Sequence, residues 1–177
     1  MSATVRAVLC AAALLLLTAC GSSGKADDSG VTLLDGRHIT LSGPTLVCAL
    51  PIDDQGDVGS TAARSQIPSL KSVAQQYPGV RVLITDSDGR STDDALTNFA
   101  ANWSVQTRLV VAADSGLAGA PLSRDGQLHT LLIGADGQVA ATWTDRAAPT
   151  QAIVAALRKA TAAPTSDSDS AVRKETP

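Results

Sequence analysis

Apolar and polar positions fall into blocks that spell out an order of elements. Val31 to Leu34 and His38 to Leu41 flank Asp35-Gly36, a turn dipeptide between short apolar runs, which predicts a small hairpin. Thr45 to Leu50 is an unbroken apolar run and predicts a central strand buried on both faces. After a polar loop from Ile52 to Gly59, apolar residues recur at Ile67, Leu70, Val73, Ala74 and Tyr77. That spacing predicts a helix from about Ser60 to Tyr77, stopped by Pro78-Gly79. Arg81 to Thr85 predicts a second strand. Ser91-Thr92-Asp93-Asp94 then opens a helix with a cap and early acidic residues suited to the positive end of its dipole. Leu96, Phe99, Ala100 and Trp103 form its apolar stripe. Gln106 to Ala112 predicts a third strand, and Leu128 to Ile133 and Val139 to Thr144 a second hairpin through Ala135-Asp136-Gly137. A last helix, from about Pro149 to Ala162, buries Ile153, Val154, Leu157 and Ala160, with its proline at an N-terminal position that spares the missing donor.

The block that precedes these elements has a different character. Arg6 supplies a positive charge, Val8 to Leu17 is almost wholly apolar, and Thr18-Ala19 place small residues before Cys20, which together read as a signal peptide. The apolar run is shorter than the roughly 20 residues that cross a bilayer. Leu17-Thr18-Ala19-Cys20 resembles the bacterial lipobox, in which the cysteine thiol receives a diacylglyceryl group before cleavage. Two acyl chains, at about 0.8 kcal/mol per buried methylene, anchor a protein stably without a transmembrane helix. The expected organisation is a signal peptide at 1–19, a lipidated Cys20 with a Gly- and Ser-rich flexible tether to residue 30, one domain at 31–162, and a disordered tail at 163–177 rich in Ser, Asp and Pro. The domain is long enough for a core that needs no disulfide or metal.

Charge and cysteine usage narrow the function. Removing residues 1–19 takes away only Arg6, leaving 13 basic against 17 acidic residues. An acidic chain lacks the phosphate-neutralising Lys and Arg that nucleic acid requires. Its aromatic residues, Tyr77, Phe99, Trp103 and Trp143, are too few for base-stacking platforms. Cys10 leaves with the signal peptide and Cys20 becomes a thioether, so Cys48 is the one free thiol of the processed chain. No intramolecular disulfide is then possible, although the compartment outside the membrane permits them.

Alternating strands and helices followed by a β-hairpin and a helix imply an α/β fold with a mixed central sheet, helices on both faces and an N-terminal β-hairpin. That is the topology of the thioredoxin fold, and three segments make the resemblance more specific. Leu33-Leu34-Asp35-Gly36-Arg37-His38-Ile39-Thr40-Leu41 resembles the opening of membrane-anchored thioredoxin-like proteins of the TlpA/ResA kind and of peroxiredoxins. Ser60-Thr61-Ala62-Ala63-Arg64-Ser65-Gln66-Ile67-Pro68-Ser69-Leu70 is similar to their active-site helix, where a Cys-x-x-Cys pair precedes a polar stretch and an apolar-Pro-x-Leu sequence. The run from Gly126 to Gly137 is similar to their Gly-x-Pro-Thr-Thr-Phe-Leu-Ile-Asp-x-Asp-Gly segment.

The chain departs from that family where its chemistry resides. Ser60 and Ala63 stand at the positions of the two redox cysteines, and Leu128 at that of the cis-proline that holds substrate backbone. The loop Ile52 to Gly59 is longer than the family's and lacks its customary tryptophan. The resemblance therefore implies the fold without the dithiol activity. A cysteine at a helix N-terminus is activated as thiolate; a serine there has no accessible anion and is expected to cap the first turn.

Remaining chemistry rests on few residues. Cys48 is a candidate catalytic thiol for a thiol-disulfide oxidoreductase or thiol peroxidase, but its place inside an apolar strand predicts burial, a raised pKa and inertness. By the resemblance, His129 follows Leu128 near the end of a strand that faces the helix carrying Ser60, so a Ser-His pair is conceivable, while His38 lies in the first hairpin. Asp53, Asp54 and Asp57 follow the first central strand, and Asp86 and Asp88 the second, at the sheet edge where open α/β folds bind ligands. They could form a weak calcium site or meet a basic partner, or serve as ordinary turn and cap residues. The combined expectation is a lipid-anchored extracytoplasmic module of the bacterial envelope, without cofactor or nucleic acid, that binds another envelope protein. The alternatives are a Cys48 enzyme and a weak metal-binding module.

Overall fold

The computed structural model describes residues 30–41, 43–115 and 124–161. The expected signal peptide, Cys20, most of the tether and the C-terminal tail lie outside the described residues.

The chain opens with an antiparallel hairpin of β1 (Gly30–Thr32) and β2 (His38–Thr40), with Val31 opposite Ile39. β3 (Thr45–Leu50) is buried at every position, as its unbroken apolar run requires if both faces are covered. β4 (Arg81–Asp86) lies parallel to it, Cys48 opposite Ile84. β5 (His129–Ile133) and β6 (Val139–Thr144) complete a mixed sheet in the order β4-β3-β5-β6, antiparallel after β3.

Three helices accompany the sheet. α1 (Thr61–Gln76) begins where the Ser60 hydroxyl accepts the Ala63 N–H at 3.1 Å and ends where the Tyr77 N–H reaches Val73 O, just before Pro78. α2 (Asp93–Asn102) is capped in the same way by Thr92, whose Oγ1 accepts the Ala95 N–H at 3.2 Å. α3 (Thr150–Thr161) starts directly after Pro149. Gln66 on α1 is fully buried and its side-chain oxygen accepts the Ala148 N–H, tying α1 to the approach of α3.

The alternation of strand side chains divides the core. Leu46, Cys48, Leu50, Val82, Ile84 and Leu132 join Ile67 and Leu70 of α1, Leu96 and Phe99 of α2, and Ile153 and Leu157 of α3 in one apolar cluster. Leu83, pointing the other way, packs with Val31, Leu33 and Val111 in a smaller cluster under the hairpin.

One expected strand is largely absent. Thr107–Leu109, inside the expected strand Gln106 to Ala112, is a turn of 3-10 helix, and only single bridges follow, Val110 parallel to Ile84 and Val111 antiparallel to Leu33. The reason is local. Gln106, Thr107 and Arg108 are exposed, and the carbonyls of Gln106 and Thr107 take the N–H groups of Leu109 and Val110 at 2.9 and 3.0 Å. What remains is too short for a ladder, yet it joins the hairpin to the sheet: Leu34 N–H donates to Val110 O, Val111 N–H to Ile84 O, and Ala112 N–H to Thr32 O.

Candidate functional site

The positions singled out by sequence converge on the carboxyl ends of β3 and β4, the first turn of α1 and the start of β5. There the parallel strands release the loops 52–59 and 87–92. Ser60 is partly buried and engaged as the N-cap of α1. Ala63 is fully buried, and Leu128 is 2% exposed within the main cluster. The Leu128 carbonyl accepts the Asp145 N–H at 2.9 Å, and no peptide bond among the described residues is cis. Thus a hydroxyl, a methyl group and a packed leucine occupy the three positions that the resemblance assigns to chemistry.

Cys48 lies in the interior beneath this edge. It has no exposed surface, and its Sγ is 3.4 Å from Oγ1 of Thr130, its register partner across the β3–β5 ladder. Burial pushes the thiol from about 9.0 up to about 12, and the Thr130 hydrogen bond offsets only part of that. Burial and the raised pKa both disfavour the thiolate, which is the nucleophilic form.

His129 and Ser60 do not meet. The buried imidazole has its Nε2 at 2.8 Å from Asp125 Oδ1, while the Ser60 hydroxyl is the cap of α1. Asp125 is a partner that the sequence reading missed, since its four-residue spacing from His129 spans a turn and matches no pattern. The hydrogen bond to His129, helped by the Gln127 N–H at 3.0 Å, holds the exposed Asp125 carboxyl below its usual range.

The acidic loops are internally committed. Asp53 Oδ1 accepts the N–H groups of Gln55 and Asp57 at 2.9 and 2.8 Å. Asp57 takes the Val58 N–H at 2.8 Å on one oxygen and pairs with Arg64 at 2.9 Å on the other. Asp86 accepts from the N–H groups of Arg90 and Ser91, both at 2.9 Å, and Asp88 also from Arg90. Partial burial works to raise Asp86, but its hydrogen bonds, led by the one shared with Asp88, bring it below the usual value and raise Asp88 in turn. Asp88 is therefore the member of this pair that takes a proton first. Asp54 is exposed. Among the described residues, no three His, Cys, Asp or Glu side chains are grouped to hold a metal ion.

The long loop is closed as well as long. Ile52 and Val58 bridge across its base, Ser91 Oγ donates to Ile52 O at 3.1 Å, and Asn102 of α2 donates to Gln55 O at 3.3 Å. At its tip Gly56 has a φ of +77°, and a Cβ there would overlap the Phe99 amide nitrogen. Only glycine lets this backbone settle directly on α2.

No protein-family profile and no curated protein matches the chain. Solved structures do match. BsSco, a member of the Sco family of cytochrome c oxidase assembly proteins, is similar with a TM-score of 0.58 and 15% identity, covering 76% of this chain and 91% of that one. A peroxiredoxin-like protein from Aquifex aeolicus is similar with a TM-score of 0.52 and 12% identity, covering 74% of this chain and 82% of that one. At such identities the likeness carries the fold alone.

Proposed function

Given that the chain has a thioredoxin-like fold, α/β with a mixed sheet and an N-terminal hairpin, we propose that it is an extracytoplasmic lipoprotein. A lipid on Cys20 anchors it to the bacterial membrane, and it works as a protein-binding module after loss of dithiol chemistry. The observation that carries the binding reading is the packing at the former redox positions. Ser60 is engaged in capping α1, Ala63 is buried, and Cys48 is sealed within β3. The lipobox-like Leu17-Thr18-Ala19-Cys20 supports the anchor. Among the described residues no helix is long and apolar enough to cross a membrane.

Insulin reduction and peroxide consumption test the loss of activity, using protein that begins at Gly21 and its Cys48→Ser variant. Neither reaction is expected above background. Turnover that disappears in the variant would establish Cys48 as a working thiol and overturn the binding reading. Labelling of intact cells with a radioactive fatty acid tests the anchor, with label expected on the wild type and none on Cys20→Ala. Cross-linking on the same cells, followed by identification of the captured protein, tests for an envelope partner.

A further inference from the structure

The opposite end of β4 carries a feature that the proposed function leaves unused. A groove of 270 Å³ runs between the hairpin and the 3-10 turn, with Leu33, Ile39 and Leu109 among its apolar lining and Arg37, Arg81 and Arg108 around it. A second groove of 270 Å³ adjoins it, sharing Arg108 and Leu109 and adding Lys71 of α1. Among the described residues, no carboxylate lines either groove.

Among the described residues, no carboxylate forms an ion pair with Arg81, Arg108 or Lys71. An Arg81 guanidinium N–H donates to Thr40 O, Arg108 Nε–H to Gln106 Oε1, and Lys71 Nζ to Trp103 O at 3.2 Å. These acceptors are neutral, so each side chain is oriented while its charge stays available. Arg37 pairs with Asp35 at 2.8 Å. Oriented, uncompensated cations beside apolar surface suit an anion attached to an apolar body. A free inorganic anion gains nothing from the apolar lining, and an apolar ligand has no use for the charges.

We propose that this end of the domain docks on the headgroups of an anionic phospholipid surface. Lipid phosphates lie against Arg81, Arg108 and Lys71, and the first acyl carbons lie against the half-buried Ile39 and Leu109. Chain connection supports the occupant. The groove is lined by the hairpin whose first residue is Gly30, and the ten residues from Cys20 to Gly30 extend at most about 35 Å, so an anchored chain keeps the hairpin close to the bilayer. The inference rests on the lipid anchor for this proximity and not for the groove's own chemistry.

Co-sedimentation with vesicles tests it, using unlipidated chain from Gly21 to Pro177. That chain keeps every side chain of both core clusters, which begin at Val31. At about 0.05 M salt the protein is expected to sediment with phosphatidylglycerol vesicles and not with phosphatidylcholine vesicles, and to be released near 0.3 M salt. Arg108→Gln and Lys71→Gln should each weaken partitioning about fivefold, and Arg81→Lys should retain most of it. The pair Arg158→Gln and Lys159→Gln on α3 should leave it unchanged. Equal binding to both vesicle types, or full binding by the groove variants, would overturn the proposal. So would tight binding of soluble glycerol phosphate, which would make the ligand a free anion. Because the protein carries no lipid here, failure of this test leaves the fatty-acid labelling of Cys20 to stand or fall separately.

Discussion

At the carboxyl end of β4, Asp86 gives its oxygens to the N–H groups of the following loop. At the amino end, about 17 Å away, Arg81 is held by a backbone carbonyl and keeps its charge. The first end looks reactive in the sequence, with five aspartates gathered on two loops, yet four of them fasten those loops. The second draws no attention in the sequence, because Lys71, Arg81 and Arg108 stand on α1, β4 and the 3-10 turn and meet only in the folded chain. Which partner satisfies a charged group, more than how many such groups cluster, separates structural from available charge.

The strongest way to break this contrast is to loosen the acidic end. Gly56→Ala places a Cβ against the Phe99 amide in a left-handed backbone, so the loop must lift from α2. A loss of about 3 kcal/mol is expected, read as a lower urea midpoint with an unchanged slope. A near-neutral result would mean that the loop is not docked and that its carboxylates are free to act.

The interior beneath that end gives the next effect. The Cys48 thiol is raised in the fold relative to its value in the unfolded chain, so above pH 9 the unfolded state releases a proton that the native state keeps. Stability should therefore be full below pH 9 and fall as pH rises towards 12, by about 1.4 kcal/mol at pH 10. Cys48→Ala should remove this particular slope. Native protein that reacts with iodoacetamide at pH 7 would contradict the sealed thiol directly.

Ser60→Ala removes the cap of α1 at the position that the resemblance assigns to a redox cysteine. About 1 kcal/mol of lost stability is expected in the same urea titration, with Ser60→Asp recovering most of it. Recovery would show that the position works through the helix terminus. A loss of function in both variants without a loss of stability would point to a role for the hydroxyl itself.

Legibility in the sequence followed the same physical division. β3 and β6 were readable to their ends because an apolar run or a period of two is bounded by turn residues, and Ser60 and Thr92 announce helix starts through their side chains. Cys48's burial was readable because Leu46, Val47, Ala49 and Leu50 around it are all apolar. Gln106 to Ala112 misled because strand propensity cannot reveal that its amides bond locally and to the hairpin. Ser60 and His129 were placed near each other by resemblance alone, and competition from a cap and from Asp125 is a matter of three-dimensional partners.

The smallest effect belongs to Asp125, and its value is diagnostic. The exposed carboxyl is depressed first by its hydrogen bond to His129, so the folded state favours its ionised form. That contribution is present above the ordinary aspartate pKa and is lost as pH falls through the lower folded value. Asp125→Asn keeps an acceptor for His129 and removes the charge. The variant should melt slightly below the wild type at pH 6, and the gap should close as pH is lowered towards 2. A gap that stays constant with pH would mean that the side chain matters for shape alone. A gap much larger than that of Ser60→Ala would mean that the acidic end holds an interaction beyond its own loops, and the contrast between the two ends of β4 would fail there.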